Sequence, residues 1–136
     1  MTTLKGKRIF YVEDDVNNRV IVTVILERAG AVIGFERWGG NDAITRLKAF
    51  QPVDLILCDL SFPGKVTGYE VFERIKTVPE LATIPIVAVS SADPTMEMPK
   101  VQAKGFDGFI SKPVSMLTFA SDLVRVLEGE KIWSGA

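Results

Sequence analysis

Acidic residues follow two apolar runs of the chain, at the points where strands are expected to end. Glu13, Asp14 and Asp15 follow the run Ile-Phe-Tyr-Val, and Asp59 follows the run Leu-Ile-Leu-Cys. Because the carboxyl ends of parallel strands gather at one edge of a sheet, we expect these acids to converge there. Carboxylates at one point repel each other unless a cation lies between them, and a hard cation such as Mg²⁺ suits oxygen ligands. The pattern therefore predicts a site that holds a metal ion and handles phosphate.

Composition excludes several other kinds of chemistry. The 136 residues include no histidine, which rules out Ser/His/Asp triads and metal ligation by histidine. The 16 basic and 17 acidic residues leave a net charge of −1 without a basic block, so binding to nucleic acid is not expected. No apolar run approaches the ~20 residues that span a bilayer, and the single cysteine, Cys58, fits a reducing compartment. A cytoplasmic location, away from membranes, is therefore expected.

Strand-like and helix-like segments alternate along the chain and predict the elements that position the acids. The strands are predicted at 8–12, 31–35, 53–58, 84–89 and 108–110, and the helices at 16–29, 41–50, 68–78 and 114–127. This alternation indicates a parallel sheet covered on both faces, and right-handed crossovers make it a doubly wound α/β fold. One domain is expected over residues 1–128. A short tail, 129–136, follows, in which Trp133 either docks on the domain or a partner or belongs to a disordered segment.

Apolar residues at helical spacing predict the packed faces of the helices. They are Val20, Ile21, Val24 and Ile25 in the first helix, Val71, Phe72 and Ile75 in the third, and Leu117, Ala120, Val124 and Leu127 in the last. Asn41 is a candidate N-cap for the second helix. Pro99 falls within 96–104, where a further helix is needed. We expect that helix to be short, with Pro99 either in its first turn or at a break.

Five short motifs occur in order along the chain. They are Val12-Glu13-Asp14-Asp15 with Asn18-Arg19, Asp54 to Leu60, Phe62-Pro63 with Gly68, Pro85 to Ala92, and Gly108 to Pro113. Each is weak alone, but in this order and spacing they resemble the receiver domain of two-component response regulators. The resemblance implies a flavodoxin-like sheet of five strands in the order 2-1-3-4-5, with helices on both faces. It also implies a signalling domain rather than an enzyme, one that catalyses only its own phosphorylation and dephosphorylation.

The resemblance implies roles for the acidic residues. Asp59 would accept a phosphoryl group from a phosphohistidine on a histidine kinase or a histidine phosphotransfer protein. Glu13 and Asp14 would hold Mg²⁺ (or Mn²⁺) together with Asp59 and the backbone carbonyl of Ser61. The physical basis is that phosphoryl transfer requires positioning and neutralisation of charge more than covalent chemistry by the protein.

The resemblance also implies how phosphorylation becomes a signal. Lys112, aimed into the site by a cis peptide bond to Pro113, would contact a phosphoryl oxygen. Ser90 would donate a hydrogen bond to the phosphoryl group on Asp59, and Phe109 would turn into the space that Ser90 vacates. A downstream protein would bind the face made by the fourth helix, the fifth strand and the last helix. As a stand-alone receiver, a monomer or weak homodimer, the chain would act by binding other proteins.

Each of these roles has a simpler alternative. Asp59 alone would be a loop acid or a helix N-cap. The acidic triplet would stabilise a helix N-terminus, as Asp15 is expected to do in any case. Ser91 is the alternative to Ser90, and a Lys-Pro pair is often only a turn.

Two other functional classes stay open. One is an interaction module of the same fold that works without phosphorylation; the intact acids, with Ser90 and Lys112, argue against it. The other is a phosphatase with an aspartate nucleophile, which needs a second aspartate where this chain has Ser61. The loop 61–68 is also one residue longer than is usual in the receiver family, and Phe62 stands where methionine is commoner.

Overall fold

The computed structural model describes residues 3–39 and 41–134, in which strands and helices alternate. The strands are β1 (Arg8–Val12), β2 (Val32–Glu36), β3 (Leu55–Cys58), β4 (Ile86–Ser90), β5 (Gly108–Ser111) and β6 (Ile132–Ser134). The helices are α1 (Val16–Arg28), α2 (Asn41–Ala49), α3 (Gly68–Lys76), α4 (Pro94–Lys104) and α5 (Phe119–Leu127), with a 3₁₀ turn at Pro63–Lys65. The cap predicted for the Asn41 side chain lies outside the described part of the chain.

All the strands are parallel and form one sheet in the order β2-β1-β3-β4-β5-β6. The doubly wound parallel sheet and the order 2-1-3-4-5 are confirmed, with a sixth strand added beside β5. This strand lies in the segment 129–136 that was predicted as a tail. With only the residues Ile-Trp-Ser, β6 is too short to show the alternation by which a strand is predicted from sequence.

The register of the sheet brings the strand ends together. Val12 lies opposite Cys58, Cys58 lies opposite Ala88, and Ser90 lies opposite Ser111. The residues that follow β1, β3 and β5 therefore meet at one edge of the sheet, beside the last residue of β4.

The core has two halves, one on each face of the sheet. Helices α1 and α5 cover one face, and α2, α3 and α4 cover the other. Strands β3 and β4 are buried along their whole length, as expected of parallel strands covered on both sides. Each large apolar side chain buried in this way contributes about 1.5–3 kcal/mol. Among residues 3–39 and 41–134, no helix has both the length and the apolar character required to cross a membrane.

Helix α1 packs with a different face from the one that its spacing suggested. Of the four predicted residues only Ile25 is buried, and Val22 and Leu26 complete the packed face. Val20 is 55% exposed and Ile21 is 52% exposed. The helix is apolar on both sides, so periodicity alone could not show which side faces the sheet.

Helix α4 is longer and more regular than predicted. It runs for 11 residues with Pro99 in its interior, neither in the first turn nor at a break. Pro94 occupies the first turn instead, and the Asp93 side chain caps the helix by accepting the Thr95 amide at 3.0 Å. This cap and the burial of Val101 stabilise the helix despite the hydrogen bond that Pro99 cannot donate.

Helix α5 begins later than predicted, and its packed face is formed by Phe119, Leu123 and Val126. Leu117 precedes the helix and is 93% exposed, so its predicted burial was wrong. The other predicted residues of this helix, Ala120, Val124 and Leu127, are half-buried at the margin of the core. In contrast, the predicted packed face of α3 (Val71, Phe72 and Ile75) is buried as expected.

Candidate functional site

The carboxyl edge of the sheet gathers most of the predicted site residues. Glu13 follows β1, Asp59 follows β3, Ser90 ends β4 and Lys112 follows β5. Three of them are buried despite their polarity: Glu13 is 2% exposed, Asp59 8% and Ser90 2%. Buried polar groups need partners within the protein, so their contacts define the site.

Lys112 joins the two buried carboxylates. Its Nζ atom donates to Glu13 Oε1 at 2.7 Å and to Asp59 Oδ2 at 3.2 Å. The lysine side chain is itself only 11% exposed. One ammonium thus balances two carboxylates in a poorly solvated place, where charge interactions are strong. The peptide bond that follows, from Lys112 to Pro113, is cis.

Asp59 is held by its neighbours on both oxygens. Oδ1 accepts the Leu60 amide at 2.7 Å, while Oδ2 faces Lys112. Burial, together with the nearby charge of Glu13, raises the pKa of Asp59 from 3.8 to about 6, against the opposing effect of Lys112. This aspartate is therefore protonated more readily than an exposed one, and added positive charge would restore its ionised form.

Asp14 and Asp15 turn away from Lys112. Asp14 Oδ1 accepts the backbone amide of Trp38 at 3.0 Å, beside an open cleft of about 560 Å³ between the β2–α2 connection and Pro63. Asp15 caps α1 by accepting the Asn18 amide at 3.0 Å, as the sequence predicted. Asp14 therefore lies next to the buried pair without sharing its lysine.

The loop after Asp59 is shaped by a close backbone approach. A Cβ atom at Gly68 would lie 2.2 Å from the Asp59 carbonyl oxygen, so α3 can begin this near the site only with glycine. Ser61 forms a bridge with Thr67, and the loop between them folds into the 3₁₀ turn. Gly64 and Lys65 both have positive φ in this turn, 75° and 64°. The Ser61 backbone, two residues after Asp59, is thereby fixed by its pairing with Thr67.

Ser90 and Phe109 occupy neighbouring strands behind the acids. Ser90 Oγ accepts the Ala92 amide at 3.1 Å, and the Ser90 carbonyl accepts the Lys112 amide at 2.9 Å. Ser91, the alternative, is exposed. Phe109 lies on β5 and is fully buried. The burial of Ser90 and its link to Lys112 favour it over Ser91.

Two residues that contribute to the site, Tyr11 and Trp38, were not predicted from the sequence. The Tyr11 hydroxyl donates to Glu13 Oε1 at 2.8 Å, on the face of the sheet that α1 and α5 cover. The two-residue period of a strand, which places Tyr11 and Glu13 on one side, could have indicated this contact. Trp38 contributes only its backbone amide to Asp14, for which its residue type gives no signal.

The donor atoms suit a hard divalent cation. They are carboxylate oxygens, and Lys112 already lies where two of these carboxylates require positive charge. Within residues 3–39 and 41–134, no three acidic or thiol side chains are yet grouped closely enough to hold a metal ion. The reason is that Asp14 faces Trp38 while Glu13 and Asp59 face Lys112. Binding of a cation by all three acids would therefore require Asp14 or Lys112 to rotate.

Comparison with known proteins identifies the family. The family model of the response regulator receiver domain matches residues 9–123 of this sequence. Over 110 residues the chain is 36% identical to Two-component response regulator ORR41 of Oryza sativa subsp. japonica, covering 79% of this chain and 84% of that protein. Over 121 residues it is 31% identical to the polar-differentiation response regulator DivK of Brucella anthropi, covering 89% and 96%.

A solved structure supports the fold. The receiver domain of the sensor histidine kinase PA1611 from Pseudomonas aeruginosa, which has a magnesium ion coordinated in its active site cleft, matches with a TM-score of 0.74 at 21% identity. The match covers 90% of this chain and 98% of that one. The chain therefore belongs to the family of response regulator receiver domains.

Proposed function

We propose that the chain is a cytoplasmic phosphoacceptor of two-component signalling and that Asp59 is the residue phosphorylated. The observation that carries this proposal is the pair of buried carboxylates, Asp59 and Glu13, bridged by Lys112 at the carboxyl edge of the sheet. Within Asp59, Oδ1 is occupied by the Leu60 amide and Oδ2 points to the lysine. Oδ2 is therefore the atom assigned to attack phosphorus.

The proposed reaction transfers a phosphoryl group from a histidine nitrogen of a partner to Asp59 Oδ2. A bond forms from this oxygen to phosphorus as the phosphorus–nitrogen bond breaks, and the imidazole leaves with the electron pair and takes up a proton. Lys112 offsets negative charge on the phosphoryl oxygens, since its ammonium is already 3.2 Å from the attacking atom. The donor is a histidine kinase or a histidine phosphotransfer protein.

The residues assigned to a divalent cation are Glu13, Asp14 and Asp59, with the backbone carbonyl of Ser61. When bound, Mg²⁺ (or Mn²⁺) lowers the repulsion between the carboxylate and the incoming phosphoryl group. The magnesium in the Pseudomonas receiver supports such a site here. Positive charge near Asp59 also favours its ionised form, which is the nucleophile.

The output is assigned to Ser90, Phe109 and the elements around them. A phosphoryl group at Asp59 is a stronger acceptor for the Ser90 hydroxyl than any neutral group, and Phe109 lies buried on the next strand. Helix α4, strand β5 and helix α5 carry the change to a downstream protein. Strand β6 covers the outer edge of β5, so the surface offered to that protein includes β6 as well.

The phosphodonor is proposed to dock on the outer face of α1, next to the site. Val16, Val20, Ile21 and Val24 are 59%, 55%, 52% and 43% exposed, an unusual concentration of large apolar side chains on one surface. A small cleft of about 50 Å³ separates Ile21 from Lys112 and the residues after it. A helix of the donor packed on this face would bring its phosphohistidine to the edge where Asp59 lies.

The first test is labelling with acetyl phosphate, read by intact mass, with and without Mg²⁺. We expect the wild-type chain to gain one phosphoryl group in the presence of Mg²⁺ and Asp59→Asn to gain none. Asp122→Asn removes a partly buried carboxylate from α5, away from the site, and should be labelled like the wild type. Undiminished labelling of Asp59→Asn would refute the assignment. Absence of any adduct, together with absence of Mg²⁺ binding, would favour the phosphorylation-independent module.

The second test separates docking from chemistry. We expect Ile21→Ser with Val20→Ser to slow transfer from a phosphorylated histidine phosphotransfer protein by about tenfold, while labelling by acetyl phosphate is unchanged. Leu117→Ser, at an exposed apolar position outside α1, is the control. Equal slowing with both donors would place the effect at the reaction site and contradict the docking proposal.

A further inference from the structure

The Tyr11 hydroxyl is a buried polar group at the foot of the site. Tyr11 lies within β1 at 0% exposure and donates to Glu13 Oε1 at 2.8 Å. Burying a phenol among apolar strand residues is unfavourable unless the hydroxyl has a partner. Phenylalanine would fill the same volume, so what tyrosine adds at this position is its bond to Glu13.

The Glu13 carboxylate has no acceptor position to spare. Oε1 accepts the Tyr11 hydroxyl, the Lys112 ammonium at 2.7 Å and the Asn18 side-chain amide at 3.2 Å. Oε2 accepts the backbone amides of Asp14 at 3.1 Å and Asp15 at 3.4 Å. A carboxylate offers about four lone-pair positions, so five donors already exceed them. The Asp15 amide, at 3.4 Å, is a marginal donor, so a position on Glu13 opens for a cation once one of the other four donors leaves.

Lys112 is the donor that a cation would displace. Its ammonium carries the same sign of charge as the cation, and its long side chain can swing toward the phosphoryl group that it is proposed to contact. Tyr11 is neutral and enclosed in the sheet. Its hydroxyl lies 2.8 Å from Glu13 Oε1 on a fully buried side chain, so it has no room to swing away as Lys112 can.

We propose that Tyr11 is a positioning residue of the metal site: its hydroxyl fixes the Glu13 carboxylate for a divalent cation once Lys112 has moved away. The inference rests on the proposed function, because it takes the cation to be that of the phosphoacceptor site. Without the Tyr11 bond, Oε1 would keep only the Asn18 side chain of its three donors once Lys112 has moved, and the carboxylate would depend on the two backbone amides at Oε2 for its orientation. Partners that orient a metal ligand typically contribute 10- to 100-fold in affinity.

The experiment is calorimetric titration of the full chain with MgCl₂. We expect Tyr11→Phe to weaken Mg²⁺ binding by about tenfold with unchanged stoichiometry. Tyr69→Phe is the matched control, because the Tyr69 hydroxyl also donates to a glutamate, Glu97, at 2.8 Å, but between α3 and α4. Its Mg²⁺ affinity should equal that of the wild type. At saturating Mg²⁺, Tyr11→Phe should be phosphorylated at close to the wild-type rate, a separation that general damage to the fold would not produce.

A double-mutant comparison tests whether the effect passes through Glu13. In a Glu13→Gln background, Tyr11→Phe should cause little further loss of Mg²⁺ affinity. A loss as large as in the wild-type background would overturn the proposal, as would an unchanged affinity of Tyr11→Phe alone. If Tyr11→Phe is too unstable for calorimetry, the rise in melting temperature on adding Mg²⁺ gives the same comparison.

Mg²⁺ binding and phosphorylation of the wild-type chain, measured separately, distinguish failure of this inference from failure of the phosphoacceptor role. A wild-type chain that binds no Mg²⁺ would overturn the assignment of Tyr11. A chain that binds Mg²⁺ but gains no phosphoryl group would refute the phosphoacceptor role, and the affinity of Tyr11→Phe would still decide whether Tyr11 positions Glu13.

Discussion

Two carboxylates share one ammonium at the site, and their proton affinities differ as a result. Burial and the charge of Glu13 raise the pKa of Asp59 to about 6. Burial acts on Glu13 in the same direction, but hydrogen bonds from Lys112 and other donors outweigh it and lower the pKa of Glu13. The pair therefore titrates as a unit in which Glu13 stays ionised and Asp59 takes the proton. Ionised Asp59 is reactive but costs the fold free energy.

Replacing Asp59 should stabilise the folded chain at neutral pH. From the ordinary Asp pKa of 3.8 up to about 6, the folded chain binds more protons at Asp59 than the unfolded chain does. The free energy of unfolding therefore falls as the pH rises through this window. In metal-free buffer we expect Asp59→Asn to be more stable than wild type by about 1–3 kcal/mol at pH 7.5 and nearly equal to it at pH 4. Chemical denaturation at several pH values measures this difference.

Glu13→Gln is the control, because its effect on the free energy of unfolding should have the opposite sign. Because the pKa of Glu13 is lowered in the folded chain, its ionised form stabilises the fold above pH 4.5, and that contribution is lost as the pH falls. This variant should therefore be less stable than wild type at pH 7.5, with a difference that shrinks in acid. A destabilised Asp59→Asn at pH 7.5 would show that Asp59 contributes more through its hydrogen bonds than it costs as a buried charge.

The site residues were predictable to the extent that strand ends position them. Glu13, Asp59, Ser90 and Lys112 each end or follow a predicted strand, so a parallel sheet suffices to bring them together. The orientation of Asp14 was not predictable, because it depends on where the β2–α2 connection places the Trp38 amide. Tyr11 was missed because an aromatic residue in a strand is usually read as core.

At the scale of elements, the helices show what apolar spacing can and cannot predict. Helix α3 has one apolar face, and that face is buried. Helix α1 has apolar residues nearly all round, so Val20, Ile21 and Val24 were predicted to be packed although they are exposed. A concentration of exposed apolar residues is typical of a surface that binds a partner. From a single sequence, such a surface cannot be distinguished from a helix face that packs in the core.

Helix α4 should be strengthened by removing its internal proline. Pro99 lacks the N–H that would bond the Thr95 carbonyl, and its ring crowds that carbonyl. We expect Pro99→Ala to raise the free energy of unfolding by about 1–3 kcal/mol in denaturant titrations. Pro94→Ala is the matched control, because proline in the first turn loses no helix bond and its replacement should change stability little. If wild type and Pro99→Ala are equally stable, the helix turn around Pro99 has adjusted so that the missing hydrogen bond and the ring contact no longer destabilise the fold.

At the scale of the whole molecule, β6 changes which edge of the sheet is open. The predicted sheet ended at the fifth strand, and the predicted output face included that strand. In the structure β6 pairs with β5 in register, with Trp133 opposite Phe109. Gly108 permits this close approach, since a Cβ there would lie 2.8 Å from the Ile132 carbonyl oxygen. The order of the first five strands followed from the resemblance to the receiver family, whereas this pairing depends on tertiary contacts of a three-residue segment.

The stability of the whole sheet should depend on β6 through Ile132. This side chain is 6% exposed and belongs to the core on the side of α1 and α5, while Trp133 packs on the opposite side of the sheet. Ile132→Ala removes buried methyl groups at a sheet edge, and we expect a loss of about 2–4 kcal/mol in the free energy of unfolding. Leu117→Ala removes a similar volume from a residue that is 93% exposed and should change stability by less than about 0.5 kcal/mol. If both variants unfold like wild type, β6 does not hold the edge of β5 in solution. That edge would then be free to pair with a downstream protein.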